Sequence, residues 1–229
     1  MTEQRRSGRH SREDAATGDL YPDREAAGHA LGELLSPLRG THPLVLGLPR
    51  GGVPVAAAIR AEIGGDLDIL LVRKLGVPWQ PELAMGAIGE GGMRVVNRDV
   101  VHHVGATMEQ LIAVEDIESA ELERRRRILR GNLHPIPLTG RVVVIADDGM
   151  ATGATMAVAA EVVRRHRPRR VVVAVPVSSW DALERMRDLA DEIVCPLVPA
   201  TLGGVGAVYA DFHQLADDEV LALLPPPSR

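Results

Sequence analysis

A chain of 229 residues suffices for one full α/β domain with extensions and is short for two. With 45% hydrophobic residues it can bury a sizeable core, and a formal charge of −5 argues against nucleic acid as the main partner. The single cysteine, Cys195, excludes an internal disulfide and fits a reducing, cytoplasmic setting, while no apolar run approaches the ~20 residues that span a bilayer.

Two compositional biases stand out. The aromatic residues are Tyr21, Trp79, Trp180, Tyr209 and Phe212. None falls in a predicted strand, so the sheet core must be aliphatic; the rings either line a pocket or pack outside the core. Positive charge is written almost wholly as arginine, with one lysine, Lys74.

Residues 1–20 are polar and aperiodic and are expected to form a disordered tail. Their arginines precede no apolar segment, so they make no secretory signal. Asp23 is a good N-cap for a helix whose apolar face is Ala26, Ala27, Ala30, Leu31, Leu34 and Leu35, stopped by Pro37 and Gly40. Residues 44–48 read as a strand. Pro49, Arg50, Gly51 and Gly52 form the turn after it, and a helix opens at Pro54. The two glycines allow close approach of a ligand, and Arg50 adds a forked donor for phosphate oxygens. Residues 67–72 are a third strand candidate, ending in Arg73 and Lys74, at the strand end where open parallel sheets bind ligands.

Residues 74–92 carry several Gly and Pro residues and read as a long loop, of the kind that often serves as a lid. Glu82 and Glu90 are its candidate polar residues. A short strand is expected over 94–97, and a long helix over 107–130 within a helical insertion at about 99–131. Its apolar members are Leu111, Val114, Ile117, Leu122 and Ile128. Acidic residues toward its start and Arg124 to Arg127 and Arg130 toward its end complement the helix dipole, so these arginines read as a solvated face.

The most informative stretch is 141–156, RVVVIADDGMATGATM. Residues 142–146 are a β-branched run suited to a strand buried on both faces, and helical spacing begins at Ala154. Between them lie Asp147, Asp148, Ala151, Thr152, Gly153 and Thr155. Such a turn aims amides and hydroxyls at one point at the positive end of a helix dipole, which makes a phosphate cradle. The two carboxylates would repel a bare phosphate. Ribose hydroxyls, or Mg2+ held through water, would suit them.

Beyond the cradle, 171–177 reads as a buried strand, Ser178 or Ser179 caps a helix running to about 190, and 193–195 is a last short strand. Residues 196–214 are rich in small residues, and Asp217 caps a terminal helix. His102, His103 and His134 lack the spacing of a metal site. Cys195 reads as a small buried hydrophobe rather than a nucleophile. Alternating strands and helices give an α/β fold, a mostly parallel sheet with helices on both faces.

Strand–Asp–Asp–x–x–x–Thr–Gly–x–Thr resembles the phosphoribosyl-pyrophosphate (PRPP) signature of the type I phosphoribosyltransferases. PRGG, RKLG and DDGxATGxT in this order are similar to a subgroup of uncharacterised phosphoribosyltransferase-domain proteins. The resemblance implies one domain over 21–224, with a lid at 74–92 and a hood at 196–214. It implies that Asp147 and Asp148 bind the ribose hydroxyls and Ala151, Thr152, Gly153, Ala154 and Thr155 the 5′-phosphate. Arg50, Gly51, Gly52 and Lys74 would hold pyrophosphate, with Mg2+ bridging pyrophosphate and ribose oxygens. The implied partners are PRPP and a small-molecule acceptor, with a homodimer as a candidate assembly. In the hood, Leu202 is nearest the family's stacking aromatic, and Tyr209 and Phe212 are displaced from it. Gly149 departs from the family, which usually has an apolar side chain there. The implied reaction is transfer of 5-phosphoribosyl from PRPP to a nitrogenous base. The alternative is a non-catalytic PRPP- or nucleotide-sensing protein on the same fold, with RNA binding as one form of it.

Overall fold

The computed structural model describes residues 21–224, so the expected tail at 1–20 and the terminal prolines lie outside the described residues. The central sheet consists of five parallel strands: β1 (Leu44–Gly47), β2 (Asp66–Ile69), β6 (Val142–Ala146), β7 (Arg170–Ala174) and β8 (Glu192–Val194). They lie side by side in the order β2-β1-β6-β7-β8. Each inner strand is a short aliphatic run buried on both sides, and alternation sorts its residues between two cores. Val45, Val142, Val144, Ala146, Val172 and Ala174 meet α1 (Arg24–Leu34) and α2 (Gly52–Ile63). Leu44, Leu46, Val143, Ile145, Val171 and Val173 meet α5 (Ala154–Arg165) and α6 (Trp180–Met186) on the opposite face. The α/β architecture with helices on both faces is therefore as expected, and the central sheet is wholly parallel.

The segment expected as a lid loop is different. Residues 72–96 form a second, antiparallel sheet of three strands: β3 (Val72–Val77), β4 (Gln80–Gly89) and β5 (Met93–Val96). Gly76, Gly86 and Gly89 are close-approach positions instead, and Gly91 and Gly92 turn the chain between β4 and β5 at φ 72° and 75°. A side chain at Gly76 would meet the Pro81 carbonyl at 2.6 Å, and one at Gly86 the Val95 carbonyl at 2.2 Å. Lys74 consequently lies within β3, opposite Ala87, and not at the end of a parallel core strand.

This sheet is held between two helices. Ala87 and Val95 pack on Val158 and Val162 of α5. Leu75, Val77, Met85 and Ile88 pack on Leu111, Leu122 and Leu129 of α4 (Met108–Leu129), together with Val220 of α7 (Asp217–Leu223). A capping box between Thr107 and Gln110 starts α4, and α3 (Arg98–Val104) precedes it. Ile117, expected on the apolar face of α4, is 69% exposed.

The arginines of α4 divide into two kinds. Arg124 and Arg125 pair with Glu121, and Arg126 and Arg127 with Glu123, on the solvated face expected for them. Arg130 departs from that reading. It is buried, with Nε 2.7 Å from Glu90 Oε1 and Nη1 2.8 Å from Asp68 Oδ1, and Nη2 donates to the Ile69 carbonyl. Asp68 also accepts from the Ile69 and Ile136 amides. This network fastens the end of α4 to β2 and to the turn after β4. Desolvation nonetheless holds Glu90 above the usual carboxylate range, although Arg130 opposes the rise. Of the two lid candidates, Glu90 is thus committed to the scaffold. Glu82 is 73% exposed and pairs with Lys74 at 3.3 Å.

Candidate functional site

Two strand-to-helix turns converge at the C-terminal ends of neighbouring strands β1 and β6, where open parallel sheets place ligands. The turn after β1 carries a cis Pro49–Arg50 peptide and enters α2 at Gly52. Its glycines lie directly on the acidic pair that ends β6. A side chain at Gly51 would stand 1.9 Å from Asp148 Oδ2, and one at Gly52 would stand 2.9 Å from the Asp147 Cα. No side chain fits between the two turns. Gly51, Gly52, Asp147 and Asp148 therefore meet where the two strands end, while the Arg50 side chain pairs with Asp217 at 3.8 Å and lines a cavity with Arg124, Arg125, Ile128 and Leu129 of α4.

The second turn leads from Asp148 to α5. Met150 donates to the Val177 carbonyl and accepts from the Ser179 amide, while Ser179 Oγ donates to the Ala151 carbonyl at 2.7 Å. These bonds clamp the loop to the segment after β7. Gly153 caps α5 at φ 71°, a left-handed conformation that favours glycine, and it backs onto Ala182 of α6 at 3.1 Å from its would-be Cβ. Ala151, Thr152 and Thr155 stay exposed on the crevice side, and the first-turn amides of α5 have no carbonyl one turn back to bond. A helix N-terminus with two hydroxyl side chains beside it offers the donors an anion needs, although the Ala154 amide donates to Thr152 Oγ1 at 3.4 Å.

The carboxylates are not equivalent. Asp147 Oδ1 accepts from the Asp148 amide at 2.9 Å. Burial first, and the neighbouring Asp148 charge second, push Asp147 well above the usual carboxylate range, against the smaller effects of that amide and of Arg24. Asp148 Oδ2 instead accepts from Arg24 Nε at 2.8 Å. Arg24 is 8% exposed, donates to the His213 carbonyl at 3.0 Å and lies 3.9 Å above the Phe212 ring. Phe212 stacks on Tyr209 at 5.0 Å, and the Tyr209 hydroxyl donates to the Asp148 carbonyl at 2.6 Å. Sequence reasoning missed Arg24, which lies 124 positions from its partner. One signal was available: a cation in the first turn of a helix opposes the macrodipole and needs another reason to be there.

The structure thus brings Gly51 and Gly52 against Asp147 and Asp148, with the 151–155 turn following them, leaves the Arg50 side chain on Asp217, and sets Tyr209 and Phe212 beside the acidic pair as supports for Arg24. Val205, in a 3-10 turn of the hood, accounts for the unusual Gly149, since a side chain there would meet its Cγ1 at 2.5 Å. Leu202 is half-buried in the same segment. Lys74 sits apart, on the other sheet. Alternation along β3 sends Arg73 to Glu118 of α4 and Val72 to the α5 side, so Lys74 faces α5. Gly89 lies on Val162, Ala87 packs in one cluster with Val158 and Val162, and Trp79 at the hairpin tip is 56% exposed. Cys195 is bonded to the Leu197 carbonyl and burial pushes its thiol up to about 12, which rules it out as a thiolate nucleophile near neutral pH. Among the described residues no group of three or more His, Cys, Asp or Glu could hold a metal ion, and no helix is long and apolar enough to cross a membrane.

Comparison with known proteins gives the family. The chain is 49% identical over 205 residues to "Putative phosphoribosyl transferase Rv0571c" of Mycobacterium tuberculosis strain H37Rv, and equally to its counterpart in strain CDC 1551. That alignment covers 90% of this chain and 46% of the relative, so the chain spans about half the length of the curated relatives it matches. The crystal structure of TT1426 from Thermus thermophilus is similar at 44% identity and a TM-score of 0.81, covering 90% of this chain and 97% of that one. The phosphoribosyl transferase domain matches residues 21–207, and with that match the chain belongs to the phosphoribosyltransferase domain family.

Proposed function

We propose that this chain transfers a 5-phosphoribosyl group from PRPP to a nitrogenous acceptor and releases pyrophosphate. The observation that carries the reading is the contact of Gly51 and Gly52 with Asp148 and Asp147. It supports a reading in which one donor reaches a pyrophosphate turn, a diol-binding acidic pair and a 5′-phosphate cradle together. The amides of 151–155 and the hydroxyls of Thr152 and Thr155 hold the 5′-phosphate, Asp147 and Asp148 the ribose hydroxyls, and Arg50 with the Gly51–Gly52 backbone the pyrophosphate. Departure of pyrophosphate leaves a cation-like sugar, so catalysis consists of positioning and charge stabilisation. The β3–β4 hairpin is the lid. Its closure brings Lys74 to the leaving pyrophosphate, with Glu82 as the partner it gives up, and keeps water from the donor.

The acidic pair fits Mg2+ that arrives with its substrate. Two crowded carboxylates, of which only Asp148 has an arginine, favour an approaching cation, yet they provide too few ligands to build a cage alone. When bound, Mg2+ offsets pyrophosphate charge. Phe212 already carries Tyr209 and Arg24 on its ring, and the resemblance to the family makes Leu202 the candidate nearest an acceptor. The free thiol of Cys195 accords with a cytoplasmic setting.

The test is pyrophosphate release from PRPP and Mg2+ with a panel of purine, pyrimidine and pyridine bases. At least one base should release pyrophosphate, and Asp148→Ala or Thr152→Ala should abolish release in a folded protein. PRPP binding without release for any base would turn the reading into a sensor. Absence of PRPP binding would overturn it.

A further inference from the structure

The most unusual group near the crevice is Arg24. Buried arginines are rare unless paired, and this one opens a helix, where the backbone dipole disfavours a cation. Three elements fix it. α1 supplies the residue, the hood supplies the His213 carbonyl and the Phe212 ring, and the end of β6 supplies Asp148. Tyr209 braces the far side through the Asp148 carbonyl. The hood aromatics thus hold an arginine in place.

The contact also selects which oxygens face a ligand. Asp148 Oδ2 is enclosed by Arg24 and by Gly51, and Asp147 Oδ1 by the Asp148 amide and Gly52. Among the described residues, one oxygen of each carboxylate, Asp148 Oδ1 and Asp147 Oδ2, is left for two neighbouring hydroxyls. The guanidinium also offsets the charge of the Asp148 carboxylate.

We propose that Arg24 is a positioning residue that neutralises Asp148 from behind, making the acidic pair a receptor for a vicinal diol and preventing it from capturing a free divalent cation. The metal then enters only with its phosphorylated substrate. This rests on the PRPP reading for the identity of the diol, but the cation half can be measured without PRPP. A residue that merely held the fold together would leave that half unchanged.

The experiment compares wild type, Arg24→Gln and Arg24→Lys, each checked by circular dichroism and thermal melting. Mn2+ alone is titrated by electron paramagnetic resonance, and PRPP with Mg2+ by calorimetry. Arg24→Gln is expected to bind Mn2+ at least tenfold more tightly than wild type and to bind PRPP at least tenfold more weakly. Arg24→Lys, which keeps the charge, should stay close to wild type for Mn2+. Adding Asp148→Asn to Arg24→Gln should remove the gained Mn2+ affinity. A folded Arg24→Gln with wild-type Mn2+ binding overturns the proposal. If Arg24→Gln does not fold, wild type decides: tight binding of Mn2+ alone that Asp148→Asn removes refutes it, and lack of such binding supports it. A wild type that binds no PRPP defeats the functional reading while leaving the Mn2+ comparison to judge Arg24.

Discussion

Among the described residues two arginines are buried beside carboxylates, and they differ in completeness. Arg130 meets Glu90 through two nitrogens, Asp68 through a third contact and the Ile69 carbonyl as well, and Asp68 has two amide donors. Arg24 meets one oxygen of Asp148, a carbonyl and a ring, and beside it Asp147 remains crowded and desolvated. The first network is closed and ties the antiparallel sheet and α4 to the parallel core. The second is open on one side, toward the crevice. A saturated buried network reads as scaffold, and one with an unbalanced charge facing a cleft reads as a site awaiting a ligand.

The sharpest way to break this comparison is to remove each centre in turn. Arg130→Ala strands two carboxylates in the interior and should cost about 3–5 kcal/mol, a large share of the roughly 5–15 kcal/mol of a typical domain. Equilibrium urea unfolding measures it, and a loss below about 1 kcal/mol would show that the network is not scaffold.

Asp147→Asn should act in the opposite direction. Burial and Asp148 raise its folded pKa, so the folded state keeps a proton that the unfolded chain has shed, and stability falls as pH rises from the unfolded carboxylate value through the folded one. The variant should therefore melt higher than wild type at neutral pH, with the gap closing as pH drops through that window, while PRPP binding is lost. A variant less stable than wild type at pH 7 would mean that Asp147 is not strained there.

The smallest effect concerns the hood. His213 lies between Asp211 at 3.0 Å and Glu219 at 3.1 Å, and its bond to Asp211, then that to Glu219, hold its pKa above the ordinary value. A raised histidine stabilises fully below its unfolded pKa of about 6.5 and loses that contribution as pH rises through the folded value. Melting curves of wild type and His213→Gln should differ at acidic pH and converge above the folded pKa. Divergence on the alkaline side would contradict this.

What could be read from the sequence follows the same division. Residues 142–146 were legible because a β-branched run buried on both faces has few other fates, and the helix opening at Ala154 followed from its spacing. Gly76 and Gly86 misled because glycine serves a tight strand crossing as readily as a loop. Arg130 was hidden at the end of a run of surface arginines, and nothing local distinguishes it from Arg127. Arg24 and Asp148 meet only through tertiary structure, so a single sequence carries one half of the interaction at a time.

The account depends most on the crevice shared by the two turns, and Gly51 tests it directly. Gly51→Ala puts a methyl group 1.9 Å from Asp148 Oδ2, so the carboxylate must swing off Arg24, at about 1–3 kcal/mol of overpacking. Calorimetric titration of PRPP with Mg2+ should give saturable binding to wild type and at least a hundredfold weaker binding to folded Gly51→Ala. Equal binding by the two would mean that the glycine turn and the acidic pair do not serve one ligand.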